Sequence, residues 1–170
     1  MRIIIEGPDG GGKTKLAELL SEWFGLEIIR NDMGPEQDLE AWWPDTIQRT
    51  MFMPVIHDRF FYSELVYGPL LRGSVKAPAE LVKEVQEGLR HNSLLIYARP
   101  ERATLELGVR VEDQMKGVQE KFTELVEAYD RLMSVEQGYY GRRFYSYNWL
   151  GMEPQQVVKH VQRYLTGDLL

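Results

Sequence analysis

The sequence has no cysteine. Disulfides, thiolate nucleophiles and cysteine-ligated zinc are therefore excluded together. Histidine is scarce as well: His57, His91 and His160 stand far apart and form no metal-spaced pair. The longest uninterrupted apolar run is five residues, Leu94 to Ala98, against the roughly 20 that a membrane-spanning helix needs. A basic excess is also missing. Twenty Lys and Arg face 26 Asp and Glu, for a net charge of -6, which argues against a nucleic-acid polymer as partner. The first residues, Met1 to Gly7, hold only three consecutive apolar side chains before a charge and do not read as a signal peptide. At 170 residues, 44% apolar and 27% charged, the composition fits one globular domain and neither a disordered chain nor a fibre. The expectation is a single soluble, cytoplasmic domain over 1–170.

What is present is an alternation of short β-branched runs with longer stretches of helical period. Arg2 to Glu6 reads as a buried strand, and Lys13 to Phe24 as a helix closed by Gly25. Further strands are expected at Leu26 to Arg30, Pro54 to Asp58, Leu94 to Tyr97 and Phe144 to Tyr147. Helices are expected over Gln37 to Met51 with a kink at Pro44, over Ser63 to Leu71, over Ala79 to Arg90 and over Pro154 to Leu165. From Glu101 to Val135 the period is helical but interrupted between Gly108 and Gly117. Strands joined by helical crossovers imply a parallel sheet covered on both faces.

The sharpest feature is Gly7-Pro8-Asp9-Gly10-Gly11-Gly12-Lys13-Thr14, which matches G-x-x-x-x-G-K-[ST] between an expected strand and an expected helix. Its chemistry requires this composition. Glycines let backbone N–H groups converge on a phosphate, and the helix N-terminus adds partial positive charge. Lys13 is then expected to reach the β- and γ-phosphates of a nucleoside triphosphate, and the Thr14 hydroxyl to hold Mg²⁺. A GTPase would carry an Asn-Lys-x-Asp segment, and none occurs. A large motor ATPase would carry an apolar strand ending in Asp-Glu; here Pro54-Val55-Ile56-His57 runs into Asp58-Arg59-Phe60.

The pairing of that glycine loop with Asp58-Arg59-Phe60 resembles the thymidylate kinase family and its deoxynucleoside kinase relatives. Thymidylate kinases carry approximately Gly-x-Asp-Gly-x-Gly-Lys, with Asp-Arg-Tyr after the third strand. Ser63, Tyr67-Gly68, Arg99-Pro100-Glu101, the lid-like Val109 to Gln114 and the Phe122 to Tyr129 segment extend the likeness over most of the chain. Only the glycine loop and Asp-Arg-Phe are specific. Gln114 stands where the lid's second arginine is expected, and the segment between strands two and three is short. The resemblance implies a three-layer α/β/α sandwich on a five-stranded parallel sheet of the nucleoside monophosphate kinase type. It also implies a mobile lid around 101–117, with ATP and Mg²⁺ as donor and metal.

Each candidate residue has an ordinary reading beside the functional one. Asp58 ends an apolar strand, where open α/β sheets place ligands, and in the resemblance it lies near Mg²⁺ and the transferring phosphate; otherwise it is a helix cap. Arg59 would clamp phosphate oxygens, or else form a surface ion pair. The loop itself carries no arginine, so charge in the transition state calls for a cation from elsewhere. The resemblance puts that cation at Arg110 in the lid, with Arg99, Arg102 and Lys116 as alternatives. Asp9 resembles the carboxylate that receives the acceptor's 3′-hydroxyl, or is simply a turn residue after proline. Trp42 and Trp43 could stack on a base that Gln48 or Arg49 reads, or belong to the core; the same choice applies to Tyr62 and Tyr67. The loop from Tyr147 to Gly151 corresponds to the family's adenine cover.

The function these readings support is phosphoryl transfer from ATP·Mg²⁺ to a small nucleotide, dTMP foremost among deoxynucleoside monophosphates. The alternative is a deoxynucleoside kinase acting on a 5′-hydroxyl, which would need a carboxylate base. Such kinases keep that acid just after strand two, where Arg30-Asn31-Asp32 stands; Arg30 beside it suits an acceptor phosphate instead. A nucleotide-binding module without turnover is a third reading. A homodimer is left open.

Overall fold

A computed structural model describes residues 2–30, 45–46, 48, 53–108 and 117–169. Five strands form one sheet: β1 (Arg2–Glu6), β2 (Glu27–Arg30), β3 (Val55–Asp58), β4 (Ser93–Ala98) and β5 (Phe144–Tyr147). The order is β2-β3-β1-β4-β5, and every pairing is parallel. Ile5 lies opposite Asp58, Glu6 opposite Tyr97 and Ala98 opposite Tyr147, so the carboxyl ends form one rim. β1 and β4 are buried along their whole length, as expected of central parallel strands.

Alternating side chains divide the core in two. Ile3, Ile5, Ile56, Leu94 and Ile96 pack against α1 (Lys13–Phe24), through Leu16, Ala17 and Leu20, and against α6 (Pro154–Leu165), through Val157, Val161 and Tyr164. On the other face Ile4, Leu95 and Tyr97 meet α2 (Phe61–Tyr67), α3 (Ala79–Asn92) and α5 (Phe122–Tyr140). The short α4 (Arg102–Gly108) follows β4. The expected fold class is thus the observed one.

Boundaries differ where the expected stop signals were absent or misread. The helix expected over Ser63 to Leu71 begins at Phe61 and ends at Tyr67, followed by a π-turn over Gly68–Arg72. A Cβ at Gly68 would lie 2.8 Å from Glu64 Oε1 and 2.9 Å from the Ser74 carbonyl oxygen. That crowding comes from the Arg72–Glu64 ion pair and the Lys76 N–H bond to Glu64 Oε1. The last part of the 101–135 segment runs on to Tyr140, because Gly138 is tolerated inside the helix and the chain turns only at Gly141, with φ 53°. The expected helix over 37–51 lies mostly outside the described residues.

One buried charge ties α2, α3 and α5 together. Glu136 is fully buried and accepts from Tyr62 Oη at 3.1 Å, Gln86 Nε2 at 2.5 Å, and Arg90 Nε and Nη2 at 2.9 and 2.6 Å. Removing the carboxylate would leave a cation and two polar groups without their acceptor. Glu136→Ala is therefore expected to lower the unfolding free energy by about 3 kcal/mol. Glu127→Ala, which breaks only an exposed pair with Arg131 at 3.8 Å, should cost less than about 1 kcal/mol. Urea unfolding of the two variants side by side tests the difference.

Candidate functional site

The glycine loop leaves β1 at Gly7 and enters α1 at Lys13. Gly7, Gly10 and Gly12 have φ of 146°, 77° and 79°, values that L side chains rarely adopt. Close approach adds a second demand. A Cβ on Gly7 would lie 2.3 Å from the Ala98 carbonyl oxygen, and one on Gly11 2.7 Å from it. The loop is therefore pressed onto the end of β4. It turns through the Gly11 N–H bond to Pro8 O at 3.2 Å, and α1 has no acidic residue in its first turn to compete for its N–H groups. Backbone N–H groups gathered at a helix N-terminus in this way can cradle an anion.

Lys13 is buried, and its Nζ donates to Pro8 O at 2.6 Å. Burial lowers its pKa to about 8, although Asp58 and Glu6 pull it the other way. Thr14 is exposed on the first turn of α1, while Asp58 ends β3 almost fully buried. Both offer hard oxygens, the donors Mg²⁺ takes together with phosphate oxygens and water.

Beside the loop, three of the expected residues meet. Arg59 has φ 63°, alone among the described non-glycine residues in being positive. Its Nη2 pairs with Asp9 Oδ1 and its Nη1 donates to Tyr67 Oη at 3.3 Å, while Tyr67 Oη donates to Asp9 Oδ2 at 3.0 Å. The guanidinium also lies 5.4 Å from the Tyr67 ring centre. A carboxylate from the loop, a cation from the end of β3 and a phenol from the end of α2 thus form one closed cluster.

The other candidates are placed differently. Arg30 is exposed at the end of β2 and bonds Glu18 on α1 at 3.0 Å. Arg99 grips Asp130 with Nε at 2.8 Å and Nη2 at 2.9 Å, and Arg102 bonds Glu106 and Thr123. Both of these alternative lid cations brace α5. Tyr62 belongs to the core beside Glu136 and Tyr140. Gln48 is exposed. Asn31, Asp32, Trp42, Trp43, Arg49, Arg110 and Lys116 lie outside the described residues.

Two residues at this site were not singled out from the sequence. Glu6, fully buried, accepts bonds from Phe60 N, Ser63 N and Ser63 Oγ at 2.8, 3.2 and 2.7 Å. Burial pushes its pKa up, opposed by those bonds and by the Arg59 charge. The available signal was a carboxylate closing an apolar strand immediately before the glycine loop. Trp149, in the loop after β5, is 43% exposed, and its Cδ1 lies 2.9 Å from where a Gly12 Cβ would be. Its signal was an exposed-type loop carrying a large aromatic at the rim of the sheet.

No protein-family model and no curated protein matches the sequence. Solved structures do match. The YorR protein from Bacillus subtilis, in complex with phosphorylated GDP, is 20% identical with a TM-score of 0.76, over 98% of this chain and 96% of that one. Deoxyadenosine kinase from M. mycoides, with the products dCMP and dCDP, is 17% identical with a TM-score of 0.63, over 98% and 100%. Thymidylate kinase from Candida albicans is 13% identical with a TM-score of 0.64, over 99% and 92%. The chain has the fold of the P-loop nucleoside and nucleotide kinases. No described helix is long and apolar enough to cross a membrane.

The buried lysine generates a testable linkage. At about pH 8.5 most Lys13 in the empty protein is neutral, given its pKa of about 8. An incoming triphosphate favours the ammonium, so binding takes up a proton, and affinity falls as pH rises through 8 and above. Calorimetric titration with ATP at that pH, in two buffers of different ionisation heat, should show uptake that disappears in Lys13→Ala.

Proposed function

We infer that this chain is a phosphotransferase that moves the γ-phosphoryl group of ATP to a deoxynucleoside monophosphate, with dTMP the first acceptor to test. The observation that carries this reading is the Asp9–Arg59–Tyr67 cluster against the glycine loop. A nucleotide acceptor brings both a sugar hydroxyl, which a carboxylate can receive, and a phosphate, which a guanidinium can hold. The three solved proteins are similar in fold throughout; two of them are named as kinases, and two were solved with nucleotide phosphates bound.

In this reading the loop amides and the α1 N-terminus hold the β-phosphate, and Lys13 follows the γ-phosphoryl group as its charge redistributes. Thr14 and Asp58 would hold Mg²⁺, which when bound would supply positive charge to the transferring phosphates. Arg59 leaves Asp9 to take the acceptor phosphate, and Asp9 turns to the 3′-hydroxyl. A monophosphate has its second pKa near 6 and is largely ionised at neutral pH, so its oxygen attacks without a strong general base. Trp149 and the loop from Tyr147 to Gly151 cover the adenine. Arg110 supplies the lid cation, with Arg30 and Trp43 as further acceptor contacts.

A deoxynucleoside kinase is the second reading, favoured by one observation. Arg30 pairs with Glu18 at the surface, and an acceptor phosphate would have to draw it away, which weakens the case for a phosphate there.

A panel of deoxynucleosides and their monophosphates, assayed with ATP·Mg²⁺, separates the two. The expected outcome is monophosphate turnover that survives Asp32→Asn and falls by several orders of magnitude in Lys13→Ala. Nucleoside turnover that collapses in Asp32→Asn, with no monophosphate used, would make the second reading correct. Arg110→Ala is expected to lower kcat far more than ATP affinity; loss of affinity alone would leave Arg110 an ordinary surface arginine.

A further inference from the structure

Among the described residues, Glu6 is the buried carboxylate at the rim to which the mechanism above gives no task. Its Oε1 accepts the N–H groups of Phe60 at 2.8 Å and Ser63 at 3.2 Å; its Oε2 accepts the hydroxyls of Ser63 at 2.7 Å and Tyr129 at 3.4 Å. Two of these donors are backbone groups of the turn that follows Arg59. The N-cap position of α2 is Phe60, which offers no side-chain cap, so a residue from another strand supplies it.

The turn needs that support because Arg59 is left-handed, with φ 63°, a conformation that costs an ordinary residue about 1–2 kcal/mol. β1 grips this strained residue on both sides. The Arg59 N–H donates to Ile5 O at 3.0 Å, and the next N–H, that of Phe60, goes to the Glu6 carboxylate. The grip aims the Arg59 side chain at Asp9 and Tyr67, back over the loop.

We propose that Glu6 is a positioning residue for Arg59: its carboxylate, by holding the Phe60 and Ser63 N–H groups, keeps Arg59 left-handed and its guanidinium over the acceptor side of the phosphate loop. This rests on the reading of Arg59 as the cation for an acceptor phosphate. Glu6 touches no substrate itself. What matters is an acceptor oxygen at the right reach, not the negative charge. Glutamine supplies that oxygen for both N–H groups, and the Ser63 hydroxyl can turn to accept from its amide. Aspartate keeps the charge but is one methylene short.

The test compares Glu6→Ala, Glu6→Gln, Glu6→Asp, Arg59→Ala and the double variant Glu6→Ala/Arg59→Ala. The readouts are kcat/KM for the monophosphate, ATP affinity by calorimetry, and the Arg59 Nε–Hε resonance of the empty protein. Glu6→Ala and Glu6→Asp are expected to lose about tenfold to a hundredfold in kcat/KM, the scale of a displacement near 1 Å. ATP affinity should stay within about threefold, because the loop is not moved. Glu6→Gln should stay close to the starting protein. On the Arg59→Ala background, Glu6→Ala should cost little more, since the residue it positions has gone.

Losses that multiply in the double variant would overturn the proposal, as would ATP affinity falling in step with acceptor use. Should Glu6→Ala fail to fold, the order of Glu6→Asp and Glu6→Gln decides: full activity in aspartate and loss in glutamine would assign a charge role instead. The Arg59 resonance should shift further in Glu6→Asp than in Glu6→Gln. That measurement needs no substrate, so a starting protein inactive on every acceptor would sink the kinase reading without touching this one, whereas an unmoved resonance would sink this one alone.

Discussion

The candidate site of this protein depends on how closely the end of β1 runs to the end of β4. The Ala98 carbonyl oxygen lies where a Cβ on residue 7 or residue 11 would go, at 2.3 and 2.7 Å. That contact holds the whole loop down on the rim of the sheet. With the loop held low, Lys13 is drawn under it and Nζ reaches back to Pro8 O at 2.6 Å. The cost is desolvation of an ammonium, visible in its lowered pKa of about 8. In the proposed function the gain would be a cation and a set of amides fixed before any phosphate arrives, with little reorganisation left for the reaction.

Charge at the site is arranged by pairing in place, while the chain as a whole is acidic at -6. Arg59 is neutralised by Asp9, and Lys13 feels both Asp58 and Glu6. An empty pocket of unpaired buried cations would be costly to fold. Carboxylates that can rotate away reduce that cost and still let a phosphate take their place. Elsewhere the same logic serves structure: Arg99 with Asp130, and Arg90 with Glu136, each pin α5 to a neighbour by bidentate bonds.

Much of the fold was legible because it rests on local signals. Ile3, Ile4 and Ile5 end at the glycine loop, α1 stops where Gly25 takes φ 66°, and Pro154 opens α6. The alternation of strands and helices conveyed a parallel sheet, but strand order comes from contacts between distant segments, which periodicity does not carry. The site divides along the same line. Lys13 is marked by the glycine motif, and Asp58 and Arg59 by their place at a strand end, while Asp9 meets Arg59 across 50 residues of chain and Tyr67 across 58. Arg99 looked like a free cation in sequence because Asp130, its partner, is thirty-one positions away. Glu6 was read only as the last residue of a buried strand, since nothing local shows that it accepts bonds from residues 60 and 63.

The connection from β3 to α2 brings these strands of argument to one point. β3 ends at Asp58 and α2 begins at Phe61, which leaves only Arg59 and Phe60 to turn the chain. So tight a turn calls for a residue at positive φ, and glycine would take it without strain. Glycine, however, carries no guanidinium. Arginine there accepts a local cost of about 1–2 kcal/mol, small beside the several bonds that β1 contributes through Ile5 O and Glu6. Strain of this kind persists only where the surroundings over-determine it. Here they do so with the same strand whose next residue, Gly7, opens the phosphate loop. The left-handed arginine and the glycine loop are thus both held from one piece of backbone.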